Sequence, residues 1–186
     1  MRFHARTLTR SRLRASAWCA VGIVLLTLCP VTTALAGPEE HERILQYVEA
    51  EERMAVDLFT AFDEVYDART LSRIAAEERT HARIIDRALR RERSLGSGYA
   101  DYPGLVQDYW RWLAEGYRDL RSAAQVGIAV ERQHLAILDA AIAASFDKDT
   151  KRQLIRIRKE DARHLAAFLQ LLASTPPAQP CATERC

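Results

Sequence analysis

Apolar residues recur at steps of three and four along four separate stretches of this chain, and each stripe is broken near its middle by ionisable residues. The first runs Leu45, Val48, Glu52, Ala55, Phe59, Phe62, Tyr66. The second runs Leu71, Ile74, Glu78, His81, Ile85, Ala88. The third is Leu120, Ala124, Gly127, Glu131, His134, Leu138, Ile142, and the fourth is Leu154, Ile157, Asp161, His164, Phe168, Leu171. That spacing keeps each run on one face of an α-helix, and such a face is stable only when buried.

The pattern predicts four long helices. The first spans about Pro38 to Tyr66, with proline suited to its first turn and Glu39 and Glu40 favourable to the dipole there. Thr70 or Ser72 is the expected cap of the second, which runs to about Arg93. Ser94 to Gly104 holds three glycines and a proline and reads as irregular. A short aromatic helix, Leu105 to Glu115, follows. The third long helix covers about Asp119 to Ser145. The fourth begins beyond Asp147 or Asp149 as cap and ends near Ala173. No alternating strand pattern competes. Two helical hairpins joined by a longer middle connection predict an all-α, ferritin-like four-helix bundle, with the short extra helix in the crossover.

The first 36 residues stand apart from this pattern. Five arginines and no acid precede the apolar run Ala15 to Leu28, and Ala34-Leu35-Ala36 closes it. This is a secretory signal pattern, with cleavage expected after Ala36 and a periplasmic or secreted location. An uncleaved anchor is the weaker alternative, because the run is short for a membrane span and Pro30 cuts it. Beyond the leader, residues 37–173 form the bundle and residues 174–186 a flexible tail rich in proline and cysteine. Cleavage takes the basic residues from 27 to 22 while all 25 acids stay, so +2 becomes 22 − 25 = −3. A mildly acidic domain gives no footing for nucleic-acid binding, and nothing in it would hold a membrane. Cys181 and Cys186 remain in the tail. In an oxidising compartment they are expected to pair within or between chains, with a redox or metal handle as the alternative.

Four carboxylates at matching depth on buried faces need a shared reason, since an ionised carboxylate without a partner is costly to bury. Glu78-x-x-His81 and Asp161-x-x-His164 each project an acid and an imidazole to one side of a helix. Glu52 and Glu131 add carboxylates able to bridge two ions. The ligand set is therefore Glu52, Glu78, His81, Glu131, Asp161 and His164, the di-iron and di-manganese pattern of helix bundles. A buried ion-pair network without metal is the alternative. His134, three residues after Glu131, is a candidate catalytic proton carrier or a further ligand. Glu51 and Glu77 lie about 100° around their helices from the ligands and are expected to be solvated or ion-paired. Glu160 is expected to face water.

These motifs resemble the ferritin-like superfamily. Glu52-x-x-Ala55-x-x-x-Phe59 and Glu77-Glu78-x-x-His81-Ala82 are similar to rubrerythrin motifs. Glu51 to Phe59, Ile74 to His81, Tyr109 to Gly127 and Arg163 to Phe168 resemble more closely the bacterial and archaeal family called domain of unknown function 2202. That family tends to carry an acid at the place of His134 and a small residue at that of Asp161. With the leader and the ligand set, the expected function is an exported non-haem di-iron, or di-manganese, redox protein that acts on dioxygen or peroxide and oxidises ferrous iron. A metal-storage or structural bundle without turnover is the alternative. The chain has no paired C-x-x-C motifs, so a peroxidase would need an external electron donor. Whether the chain forms a homo-oligomer stays open.

Overall fold

The computed structural model describes residues 37–177, apart from Ser97 and Phe146. All of them belong to the second of two units, Ala34–Cys186. The expected leader and the two tail cysteines lie outside the described residues. The helices are α1 (Pro38–Tyr66), α2 (Arg69–Arg91), α3 (Pro103–Gly116), α4 (Leu120–Ala144) and α5 (Lys148–Ser174), with a 3-10 turn at Tyr99–Asp101 and no strand among the described residues. None of these helices is long and apolar enough to cross a membrane.

Most boundaries follow local chemistry. Asp119 accepts the Ser122 N–H at 2.6 Å and caps α4, and Asp147 does the same for Thr150 at the start of α5. The short helix begins two residues earlier than expected, at Pro103, because a proline has no N–H to leave unpaired in a first turn. The expected Thr70 or Ser72 cap of α2 is a misreading. Asp67 enters the left-handed region at φ 47° and closes α1, so only Asp67 and Ala68 separate the two helices. The Leu71 N–H donates to the Ala68 carbonyl at 2.7 Å, so α2 starts on backbone and needs no side-chain cap.

The short link makes α1 and α2 an antiparallel hairpin, and α4 and α5 form the second. Across the bundle α1 faces α4 and α2 faces α5, while α3 lies over α1 and α4. Two apolar clusters fill the interior. One holds Met54, Leu58, Phe59, Phe62, Ile74, Val130 and Phe168. The other holds Leu45, Val48, Ile85, Leu89, Leu138, Leu154 and Ile157. On every long helix the ionisable residues of the stripe fall between the part that feeds one cluster and the part that feeds the other. A polar layer is thus held between two apolar ones, whose fully buried side chains contribute roughly 1.5–3 kcal/mol each.

Gly127 shows how tightly that packing is set. A Cβ there would lie 2.5 Å from the ring of Phe168, which is itself wholly buried and packed at a tilt with its centroid 5.0 Å from that of Phe59. Alanine would ordinarily gain about 1 kcal/mol over glycine inside a helix. Here overpacking dominates, and Gly127→Ala is expected to lower stability by about 1–3 kcal/mol in urea unfolding. Gly104→Ala, which meets nothing within 4 Å, should show no loss.

Candidate metal centre

Glu52 of α1, Glu78 and His81 of α2, Glu131 of α4 and Asp161 and His164 of α5 meet in the polar layer, each 0–1% exposed. They form two overlapping groups. One oxygen or ring nitrogen from each of Glu52, Glu78, His81 and Asp161 lies within 4.8 Å of the others, and so do atoms of Glu78, Glu131, Asp161 and His164. Either group could hold a metal ion. The two carboxylates common to both are Glu78 and Asp161. Periodicity gave the bridging place to Glu52 and Glu131. The geometry puts those two at the outer ends instead, one in each group.

Both imidazoles aim Nδ1 into the layer. His81 Nδ1 stands 2.9 Å from Glu78 Oε2, 3.2 Å from Asp161 Oδ1 and 3.5 Å from Glu52 Oε2. His164 Nδ1 is 2.9 Å from Glu78 Oε1, 3.7 Å from Glu131 and 3.8 Å from Asp161. Each nitrogen can hydrogen-bond only one of these acids, and both bond Glu78. Both oxygens of Glu52, of Glu131 and of Asp161 are left buried without a hydrogen-bond partner. Orphaned carboxylate oxygens at this depth are costly unless a cation meets them. The buried ion-pair alternative reaches one oxygen of each and leaves Glu52 Oε1, Glu131 Oε2 and Asp161 Oδ2 unexplained. A metal fits the donor set.

The electrostatics say the same. Burial, then the charges of Glu78 and Asp161, push the Glu52 and Glu131 carboxyls well above the ordinary range. Asp161 is raised too, chiefly by burial. Glu78 goes the other way: burial works against its charge, but the bonds to His164 and His81 outweigh burial and hold it well below. Burial likewise opposes charge on the imidazoles. For His81 the acids Asp161, Glu52 and Glu78 overcome it, and for His164 chiefly Glu78 does, so both hold their protons tightly. The layer retains protons because it is rich in negative charge and closed to water.

A second tier of acids went unrecognised in the sequence. His81 Nε2 bonds Glu160 at 2.9 Å, and His164 Nε2 bonds Glu77 at 2.5 Å. Each hairpin therefore orients the histidine of the other. Arg73 grips Glu77, while Arg156 and Arg163 grip Glu160. Expected to face water, Glu160 is only 21% exposed on its side chain. Glu77 is ion-paired as expected, and binds a histidine besides. The signal was present as an internal repeat, Leu71-x-Arg73-Ile74-x-x-Glu77-Glu78-x-x-His81 against Leu154-x-Arg156-Ile157-x-x-Glu160-Asp161-x-x-His164. A repeated doubled acid one turn before each histidine marks an inner ligand and an outer support.

Glu51 is also corrected: it is 1% exposed rather than solvated. Its Oε1 accepts from Gln133 of α4 at 2.7 Å, so it is bonded across the bundle. His134 is buried beside the layer but belongs to neither ligand group, and neither ring nitrogen has a hydrogen-bond partner. Its field reaches Glu51 and Asp161.

No family model and no curated protein matches the chain. Among solved structures it is similar to the crystal structure of a hypothetical protein from Methanococcus jannaschii. That match has a TM-score of 0.67 and 22% identity, and covers 74% of this chain and 81% of the other. At that identity the likeness concerns the fold alone.

Proposed function

We propose that this chain is an exported, ferritin-like di-metal carboxylate protein with redox activity toward dioxygen or peroxide. The observation that carries the reading is the pair of buried ligand groups sharing Glu78 and Asp161. Once deprotonated, the four carboxylates and two imidazoles carry the charge that two divalent cations would cancel. Oxygen and nitrogen donors without thiolate suit iron, with manganese as the alternative. Two such ions, when bound, supply one electron each to dioxygen or peroxide, the chemistry in which ferrous iron is oxidised.

The residues have distinct tasks. Glu52 and Glu131 close the two ends of the site. Glu160 and Glu77 accept from Nε2 of His81 and His164, fixing the tautomer that leaves Nδ1 free to coordinate. The two apolar clusters keep bulk water out. His134 is assigned the movement of protons at its ring nitrogens, which no other side chain occupies. A peroxidase cycle would draw on an external reductant. The resemblance to the family of domain of unknown function 2202 and the signal-like segment 1–36 support an exported protein of this class.

The test is metal analysis and N-terminal sequencing of protein recovered from the cell envelope after growth with iron and manganese. Two ions per chain and a start at Gly37 are expected. Anaerobic loading with ferrous iron, then oxygen or peroxide, should raise ferric near-ultraviolet absorbance within the mixing experiment. His134→Ala should keep both ions and slow that rise by roughly 10²-fold. Loaded protein that stays ferrous under both oxidants would favour storage, the second reading, for which the missing C-x-x-C pairs speak.

A further inference from the structure

A groove of about 400 Å³ lies between the C-terminal half of α2 and the first turns of α5, with Arg87, Arg91, Arg152 and Arg156 along its walls. Arg87 and Arg91 are one turn apart on α2, and Arg152 and Arg156 one turn apart on α5, so two helices converge their guanidinium groups on one space. Arg152 pairs with Asp149 on the wall, and Arg156 with Glu160 further along α5. Among the described residues Arg87 and Arg91 have no ion-pair partner, although the charge of Arg91 reaches Asp147. That carboxylate already caps the Thr150 N–H. Four cations against Asp149, Asp147 and the Glu160 that pairs with Arg156 leave 4 − 3 = +1 at the groove, on a chain whose residues 37–186 sum to −3.

Exposed arginines on a helix are usually just solvated. Here four exposed arginines from two helices line one groove, beside the positive N-terminal end of α5, and Gln153 adds an amide donor. Guanidinium forks match the oxygens of a tetrahedral oxyanion such as phosphate, and the unpaired Arg87 and Arg91 leave the groove positive on an acidic domain. We propose that this groove is a binding site for a phosphate-class oxyanion, held by Arg87, Arg91 and Arg152 with Arg156 at its inner edge. Arg156 also grips Glu160, which supports His81, but Arg87, Arg91 and Arg152 touch no residue of the metal centre, so a test on those three does not depend on the metal reading.

Calorimetric titration of the full chain with inorganic phosphate at low ionic strength tests it. One saturable site per chain is expected, and added salt should weaken it. Arg87→Gln with Arg91→Gln, and separately Arg152→Gln, should each weaken binding by about tenfold or more. Arg79→Gln with Arg83→Gln removes the same charge from the α1 side of α2 and should leave binding unchanged. Circular dichroism confirms that the variants fold, since all five residues are exposed. Absent phosphate binding, or equal weakening by both pairs of substitutions, overturns the proposal. A parallel sedimentation with phosphatidylglycerol and phosphatidylcholine vesicles separates the source of the phosphate. Retention on the anionic vesicles that needs Arg87 and Arg91 and yields to free phosphate supports the same site with a headgroup as ligand. Retention that free phosphate cannot displace overturns it in favour of general surface charge.

Discussion

Glu78→Ala is expected to empty both ligand groups at once and to be the most destabilising change at the site. Glu78 belongs to both groups and accepts a bond from each histidine, at 2.9 Å in both cases. Truncation removes a shared carboxylate and leaves two buried imidazoles facing Asp161, Glu52 and Glu131 without the acid that each Nδ1 bonds. Breaking a buried ion pair by deleting one member costs about 3–5 kcal/mol. Metal analysis should find less than one ion per chain. Glu52→Ala takes an oxygen donor from one group only and should leave one ion. Glu78→Gln keeps the shape and one acceptor oxygen, so it should fold better than the alanine variant while still losing metal. Equal metal content in Glu78→Ala and Glu52→Ala would refute the shared role.

The second large effect is a reversal of pH dependence on loading. Without metal, Glu52, Glu131 and Asp161 have raised folded values, as do His81 and His164. A raised group lends stability below its unfolded value and loses it as pH climbs through its folded one. Folding then takes up protons, so stability should fall as pH rises from about 5 to 8. Glu78 is lowered and opposes this, losing its contribution only as pH falls through its depressed value, on the acid side of that window. With five groups pulling one way, the metal-free protein should melt lower at about pH 8 than at pH 5. Metal displaces these protons, because carboxylates and imidazoles coordinate in their deprotonated forms. Loaded protein should therefore gain over metal-free protein as pH rises, and loading should release protons. Thermal melts of both forms across that range would show it. Parallel curves would mean that the ions sit elsewhere.

Much of this was legible in the chain. Steps of three and four placed the helices to within a few residues, since burial of an amphipathic face is what makes a helix of this length stable. The same steps selected all six residues that meet in the polar layer, because an acid or imidazole in phase with an apolar stripe has nowhere to go but inward. Periodicity gives direction around a helix but not what stands across from it. Whether a carboxylate ends in one group or two depends on the heights at which α2 and α5 pass α1 and α4. That is why Glu78 and Asp161, not Glu52 and Glu131, came to be shared. Glu51 was misread for a related reason: its partner Gln133 stands on another helix, more than eighty residues away. Glu77 and Glu160 support histidines on a helix more than seventy residues away, and only packing brings those partners within a hydrogen bond. The sequence by itself determined the helices, their buried faces and the ligand set, through local periodicity and the cost of burying charge. The sharing of ligands, the outer acids and the convergence of arginines from α2 and α5 belong to the tertiary structure, because each is a distance between helices that no single helix encodes.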